Sequence, residues 1–247
     1  MHNAKRMAIS GFGSGNHRPF SLDFSSTMSL SCPLPETIYT AFYCEENVYL
    51  LCEALSMYEE VAAVIVSNRT KTVALWNQKL SRDTQPVIWD YHVVLLLRSG
   101  DHQYWIYDFD TRLPFPCLLK DYLQHTFQDV PSAYRSLFRI VPGTTYIENF
   151  ASDRSHMVNC LDPCSIHVRM YSMVPDSSLK LAGPTKLFSD DPMQSLYRSP
   201  PPLYPPLRGK KATVANNLMR SFVEIVSSEE TFGDVKDLSE MFRLGEA

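Results

Sequence analysis

The pattern of apolar positions first predicts a helix over residues 44–55. Apolar side chains recur at positions 48, 51, 52 and 55, which is the i, i+3, i+4, i+7 spacing of an amphipathic helix. Glu45 and Glu46 fall in its first turn, where carboxylates complement the helix dipole. Cys44 therefore lies at or just before a helix N-terminus. Backbone N–H groups at such a position stabilise a thiolate, so we expect the pKa of this thiol to be lowered.

Four extended runs follow, over residues 61–66, 72–76, 87–97 and 103–109, and the turn signal Ser-Gly-Asp separates the last two. If the hairpin loop comprises residues 99–101, residues that face each other have numbers that sum to 200. His92 then faces Asp108, with Cβ atoms ~4.5–5.5 Å apart. A two-residue loop would turn the two side chains to opposite faces.

The remaining pattern divides the chain. We expect a helix over 120–127, a strand over 138–141 and two short helices near 214–226 and 236–243, and residues 200–206 are similar to polyproline. Residues 1–36 lack a hydrophobic period and are predicted to be a disordered tail, with an organelle-targeting segment as the alternative. A single domain over 37–247 follows, with a long insertion-like loop at about 158–199.

Composition narrows the class of protein. The chain has 247 residues, 45% of them hydrophobic, and 23 basic against 27 acidic side chains give a net charge of −4. It can build one sizeable core, and the mild negative charge argues against nucleic acid or an acidic membrane surface as the main partner. No apolar run approaches the ~18 residues that a membrane helix needs. Six cysteines are too few for a disulfide scaffold, so we expect reduced thiols and a cytoplasmic location, with the nucleus as an additional compartment.

Three residues could carry chemistry together. If the helix start packs against the hairpin, Cys44, His92 and Asp108 would form a set of nucleophile, general base and orienting carboxylate. Their order along the chain resembles that of transglutaminase-like enzymes, although such triads arise on unrelated folds. The alternative is structural: a buried cysteine, a histidine satisfied within a sheet and an aspartate that faces solvent.

Longer stretches resemble one family, the protein N-terminal glutamine amidohydrolases. They are YCEENV (43–48), VIWDYHVVLL (87–96) and YDFDTRLPFPC (107–117), followed by NFASDRSHM (149–157) and the proline run before Tyr204. The resemblance covers residues 40–157 and continues more faintly from 200 to the end. The N-terminal tail and the 158–199 stretch exceed what the family needs.

The resemblance implies a fold and a triad. The fold would be α+β, a transglutaminase- or papain-like sandwich in which an antiparallel sheet packs against an N-terminal catalytic helix. The family's catalytic residues fall on Cys44, His92 and Asp108. The implied reaction deamidates the side chain of a protein's N-terminal glutamine to glutamate through a thioester and releases ammonia, without a metal or organic cofactor. The product would feed an N-degron route.

Selectivity for a terminal residue requires a partner for the free α-ammonium group. Glu45, Glu46 and Asp90 are the local candidates, and Glu45 and Glu46 could equally be helix first-turn charges. Asp90 lies two residues from His92 and would share its face if the strand is regular. The Cys44 backbone N–H is the expected oxyanion donor. We expect a monomer, since the site must admit a protein terminus.

Other interpretations remain open. The spacing His156-x3-Cys160-x3-Cys164-x2-His167 offers four possible zinc ligands, with unusual histidine positions. A cysteine-dependent acyl transferase would pass the thioester to an amine instead of water. A non-catalytic module that binds N-termini would retain the three residues without turnover.

Overall fold

The computed structural model describes residues 33–58, 60–82, 84–158 and 197–246, and within them it is an α+β structure. The predicted tail up to residue 32 and most of the predicted insertion lie outside the described residues. The start of the described chain is packed, because the hydroxyl of Tyr107 donates to the carbonyl of Pro33 (2.6 Å). No helix among the described residues is long and apolar enough to cross a membrane.

The described elements are four α-helices and eight strands. The helices are α1 (Cys44–Ala54), α2 (Leu119–Thr126), α3 (Gly143–Asn149) and α4 (Leu238–Leu244). The strands are β1 (Val61–Ser67), β2 (Val73–Leu75), β3 (Val87–Trp89), β4 (His92–Arg98), β5 (Tyr104–Tyr107), β6 (Cys117–Leu118), β7 (Leu137–Pro142) and β8 (Asp234–Lys236). A π-helical turn spans Leu218–Val223.

Strands β6, β5, β4, β1, β7 and β8 lie side by side in that order as an antiparallel sheet, and β2 pairs with β3 in a second, small sheet. Alternate side chains leave the large sheet on opposite faces. In β4, Val93 and Leu95 pack with α1, α3 and the π-helical turn, whereas Val94 and Leu96 pack with α2, α4 and the small sheet. Because both faces are covered, β1 and β4 have nearly continuous hydrophobic sequences.

The predicted strand over 87–97 is wrong as a single strand, because the chain breaks at residues 90 and 91. β3 belongs to the small sheet and β4 to the large one. At the break, the hydroxyl of Ser67 donates to the carbonyl of Asp90 (2.7 Å), and the side chain of Asp90 accepts the N–H of Tyr91 (2.9 Å). These bonds satisfy backbone groups that would otherwise require a strand partner. Asp90 therefore does not share a regular strand face with His92.

The register of the β4–β5 hairpin also differs from the prediction. Leu95 pairs with Tyr107 and Leu96 with Ile106, so that facing residues sum to 202 rather than 200. The loop is 100–102, closed by a bond from the N–H of Ser99 to the carbonyl of Gln103, and its last residue has a positive φ of 67°. A positive φ at the last loop residue is typical of a three-residue hairpin loop. Since the sum stays even, positions 92 and 108 still belong to the same face.

Most other element predictions are confirmed to within one or two residues. The helix near 214–226 is shorter than predicted and is the π-helical turn, and α3, β6 and β8 were not predicted. These three are short, and their sequences carry little periodicity.

Gly233 should be intolerant of a side chain. Its φ is +74°, and a Cβ there would clash with the carbonyl oxygen of Ile140 in β7. We expect Gly233→Ala to lower the free energy of unfolding by about 1–3 kcal/mol, because strain is added where β8 joins the sheet. Gly245→Ala is the control, since its Cβ would meet only ordinary contacts at 3.5 Å. Urea unfolding gives the free energy of unfolding of both variants. Equal values would contradict the expected strain at residue 233.

Candidate active site

His92 opens strand β4, and its imidazole contacts the carboxylate of Asp108, which directly follows β5. The distance from Nε2 to Oδ1 is 2.8 Å, and both side chains are buried. An ionised carboxylate only accepts hydrogen bonds, so Nε2 carries a proton. The structure thus brings together two of the predicted site residues, and the predicted solvent-facing alternative for Asp108 is wrong.

Asp108 is held by more than His92. Its Oδ2 accepts hydrogen bonds from the amide of Gln78 (3.1 Å) and the hydroxyl of Tyr122 (2.9 Å), and its Oδ1 accepts the backbone N–H of Asp110 (2.9 Å). Burial alone would raise the pKa of Asp108, but His92, the amide of Gln78 and the N–H of Asp110 lower it below its ordinary value. Gln78 and Tyr122 were not predicted, since nothing in the local pattern of either segment marks a carboxylate partner.

The other nitrogen of His92, Nδ1, is buried and has no hydrogen-bond partner among the residues described. The ring stacks on Trp89, with centroids 5.1 Å apart. Burial lowers the pKa of His92, but the Asp108 carboxylate outweighs it and the net pKa is raised. The imidazole is therefore fixed in orientation, with Nδ1 left to exchange a proton.

Cys44 is the first residue of α1, as predicted, and is 8% exposed. No side chain caps this helix end within the described residues. The thiol contacts the backbone N–H of Val93, the residue after His92, and its Sγ lies 3.6 Å from Oε2 of Glu45. The expected lowering of the thiol pKa is wrong: burial first, and then the charge of Glu45, raise the pKa of Cys44 well above its usual value.

Glu45, a predicted ammonium ligand, is fully buried. Its Oε2 accepts the hydroxyl of Tyr91 (3.3 Å), and its Oε1 lies 3.1 Å from Nε2 of His156. These last two atoms are close enough for an ion pair but are not aligned for a hydrogen bond. The hydroxyl of Tyr146 donates to the Glu45 carbonyl (3.1 Å). In the sequence, His156 is a possible zinc ligand and falls in the 149–157 stretch that resembles the family, but neither pattern predicts its contact with Glu45.

Glu46 forms a buried, bidentate ion pair with Arg154, at 2.8 and 2.7 Å. The guanidinium also donates to the carbonyls of Pro202 (3.2 Å) and Tyr204 (3.0 Å), and it lies over the rings of Tyr43 and Tyr204. This pair fastens the proline-rich segment to the start of α1. Glu46 is accordingly a structural charge, and its side chain is occupied.

Asp90, the other predicted ammonium ligand, is partly exposed. Burial raises its pKa to about 6, and bonds from backbone N–H groups, including that of Tyr91, oppose the rise. Asp90 also interacts electrostatically with Cys44, Glu45 and His156. It therefore lies within electrostatic range of the thiol while retaining access to water.

Ligand atoms of His92, Asp108 and Asp110 lie within 4.8 Å of one another, a spacing that would suit a metal ion. Asp108 already accepts the protein donors described above, and Asp110 accepts the hydroxyl of Tyr39 (2.6 Å). Several of these donors would have to turn away before an ion could bind. Of the proposed zinc motif only His156 is described, and it contacts Glu45; Cys160, Cys164 and His167 lie outside the described residues.

The geometry defines a class: an α+β protein with a cysteine at a helix start and a histidine–carboxylate pair at one end of an antiparallel sheet. A family model described as N-terminal glutamine amidase matches residues 39–244, which include every candidate residue. The chain belongs to this family.

Three curated relatives are each named protein N-terminal glutamine amidohydrolase. The relative from Danio rerio is 49% identical over 130 residues, which cover 49% of this chain and 64% of the relative. Those from Homo sapiens and Bos taurus are each 44% identical over 135 residues, which cover 51% of this chain and 66% and 65% of the relatives. The chain thus matches slightly less than two thirds of the length of these relatives.

Removing one member of the buried ion pair should be costly. We expect Arg154→Ala to lower the free energy of unfolding by about 3–5 kcal/mol, because it leaves Glu46 charged and unpaired in the interior. Arg154→Met combined with Glu46→Gln should cost less, since no charge stays buried. The exposed pair Arg220–Glu230 provides the control: Arg220→Ala should leave stability unchanged. A similar loss at both sites in urea unfolding would contradict this expectation.

Proposed function

We propose that this protein deamidates the N-terminal glutamine of proteins and peptides, giving N-terminal glutamate and ammonia. One observation carries the proposal: a buried His92–Asp108 pair lies at the start of strand β4, and the thiol of Cys44 contacts the backbone of the next residue in that strand. The family supports the same substrate class. Cys44 is the proposed nucleophile, His92 the general base and acid, and Asp108 the orienting carboxylate.

In the first half of the reaction, Nδ1 of His92 takes the thiol proton and Cys44 sulfur attacks the side-chain amide carbon of the glutamine. The raised pKa of His92 makes its imidazole a stronger base for a thiol whose own pKa is raised. Asp108 stabilises the imidazolium that results. His92 then returns the proton to the amide nitrogen, and the C–N bond breaks to release ammonia and leave a γ-glutamyl thioester.

In the second half, His92 removes a proton from water, and the resulting hydroxide attacks the thioester carbon. The C–S bond breaks, the thiolate recovers the proton from His92, and N-terminal glutamate leaves. The oxyanion formed in each half requires donors that are already in place. In the first turn of α1, the N–H groups of Glu46 and Asn47 donate to the carbonyl of Tyr43. Helix geometry gives those of Cys44 and Glu45 no acceptor within the helix, and the Cys44 N–H is the proposed donor.

The α-ammonium group of the substrate requires a negative partner near the thiol. Asp90 is the better proposal because it interacts electrostatically with Cys44 and is partly exposed. Glu45 is enclosed by Tyr91 and His156, so that its proposed contribution is a negative charge that adds to that of Asp90 without touching the substrate. Together they would favour a cationic terminus over a blocked one.

The fold relationship to transglutaminases and papain is part of the proposal. It is supported by a helix that starts with the cysteine and packs on an antiparallel sheet whose strand β4 starts with the histidine. A cytoplasmic monomer, present also in the nucleus, that supplies substrates to an N-degron route remains the proposed setting. The three described buried thiols, Cys44, Cys52 and Cys117, are free, which suits a reducing compartment.

A pair of peptides tests the reaction. We expect the protein to release ammonia from a peptide that starts with Gln and not from its twin that starts with Asn. Cys44→Ala should abolish release, and Asp108→Asn should lower kcat about a hundredfold or more, because the imidazole loses its orientation and charge partner. Cys52→Ala is the matched control on the same helix and should retain activity, since Cys52 lies about two turns further along α1 from the helix start.

The products separate the alternatives. Glutamate supports hydrolysis, whereas an isopeptide formed with an added amine would support the acyl transferase. Binding of the Gln peptide without turnover would support a non-catalytic module.

Steady-state kinetics measured as a function of pH test whether Asp90 and Glu45 recognise the α-ammonium group of the substrate. We expect Asp90→Asn to raise KM for Gln-starting peptides about tenfold, the equivalent of the ~1.5 kcal/mol that a hydrogen bond to a charged group contributes. Glu45→Gln should raise it less. For the wild type, KM should rise as the pH falls through about 6, where Asp90 gains a proton, and Asp90→Asn should lose that dependence. Glu53→Gln, on the exposed face of α1, is the control, and an unchanged KM in both site variants would remove them from this role.

A further inference from the structure

A buried carboxylate lies beside the proposed nucleophile but exchanges no proton and forms no bond in the proposed mechanism. Oε2 of Glu45 is 3.6 Å from Sγ of Cys44 and also accepts the hydroxyl of Tyr91. A negative charge at this distance opposes formation of a thiolate, and the interior strengthens that opposition. Cys44 therefore needs a positive charge next to the Glu45 carboxylate if its thiol is to ionise.

The surroundings of Glu45 contain few cations. Next to it on α1, Glu46 is paired with Arg154, so that this guanidinium is already engaged. Tyr146 on α3 donates its hydroxyl to the backbone carbonyl and leaves the carboxylate untouched. From the 90–91 break, Asp90 adds a further negative charge.

His156, in the 3-10 turn Ser155–Met157, approaches the carboxylate from the other side. Its Nε2 is 3.1 Å from Oε1 of Glu45, and Oε1 is a fully buried atom with no hydrogen-bond partner among the described residues. Among those residues, His156 is the cationic group in direct contact with Glu45. The ring also stands edge-on to Tyr91, with centroids 6.5 Å apart, which fixes where the charge is held.

We propose, on the basis of the function proposed above, that His156 is a positioning residue whose imidazolium cancels the charge of Glu45 and so allows Cys44 to form a thiolate. Burial lowers the pKa of His156, but Glu45 and then Asp90 outweigh it and the net pKa is raised. The counter-charge is therefore present below and around the ordinary titration range of histidine. It is lost as the pH rises through the raised pKa, and from there the bare carboxylate makes the thiolate harder to form.

Alkylation of the thiol tests this without any substrate. The full-length protein is treated with iodoacetamide across pH, and the fraction of Cys44 modified is read from its peptide by mass spectrometry, which separates it from the other cysteines. The four proteins are wild type, His156→Gln, Glu45→Gln and the double variant. His125→Gln, on the exposed side of α2, is the matched control and should match wild type.

We expect His156→Gln to slow alkylation near neutral pH about three- to tenfold, since a lower thiolate fraction is partly offset by higher nucleophilicity. Above the raised pKa of His156 the wild type has lost the counter-charge as well, and the two proteins should react alike. Glu45→Gln should move the pH midpoint of alkylation down. In the Glu45→Gln background, His156→Gln should change the rate less than twofold, because the charge that it cancels is gone. This lack of additivity separates an electrostatic role from a structural one.

An equal slowing by His156→Gln in both backgrounds, or no slowing in wild type, would overturn the proposal. If His156→Gln does not fold, as judged by thermal unfolding, Glu45→Gln alone decides: a midpoint that stays at the wild-type pH overturns it. Failure to deamidate Gln peptides while the alkylation cycle behaves as expected would count against the proposed substrate and leave the role of His156 intact.

Discussion

The structure depends on keeping one carboxylate charged in the absence of water. Asp108 is buried. An isolated carboxylate ion there would be strongly destabilising and would gain a proton instead. Four donors prevent this: the imidazole of His92, the amide of Gln78, the hydroxyl of Tyr122 and the N–H of Asp110. They come from separate segments, so satisfying the charge also fixes how the hairpin, α2 and the 76–80 region sit together. The orientation of the imidazole is thus a consequence of the fold.

Local pattern was sufficient to predict the helix that starts at Cys44 and the face shared by His92 and Asp108. The second prediction survived an error in register because the loop moved by one residue and the sum of facing positions changed by two. Side-chain direction depends only on whether that sum is odd or even. A shift of half that size would have placed the two residues on opposite faces.

Other features could not be predicted from the sequence because they join residues far apart in the chain. Glu46 and Arg154 are separated by 108 positions, and periodicity carries no information about such pairs. The break at 90–91 depends on the hydroxyl of Ser67, which lies on another strand. The predicted lowering of the Cys44 pKa was wrong for a related reason. A helix N-terminus can be predicted from the sequence, but the burial that outweighs its effect on the pKa is a property of the packed molecule.

The charges around Cys44 connect reactivity with substrate choice in the proposed reaction. Asp90 and Glu45 make the surroundings negative, which favours a cationic terminus but opposes a thiolate. His92 and His156 each supply a compensating proton, one on the side of Asp108 and one on the side of Glu45. A substrate that brings an α-ammonium group to Asp90 adds a third positive charge near the sulfur. The thiol would then ionise most readily when a free N-terminus is bound, and this would restrict attack to the intended amide without a separate gating movement.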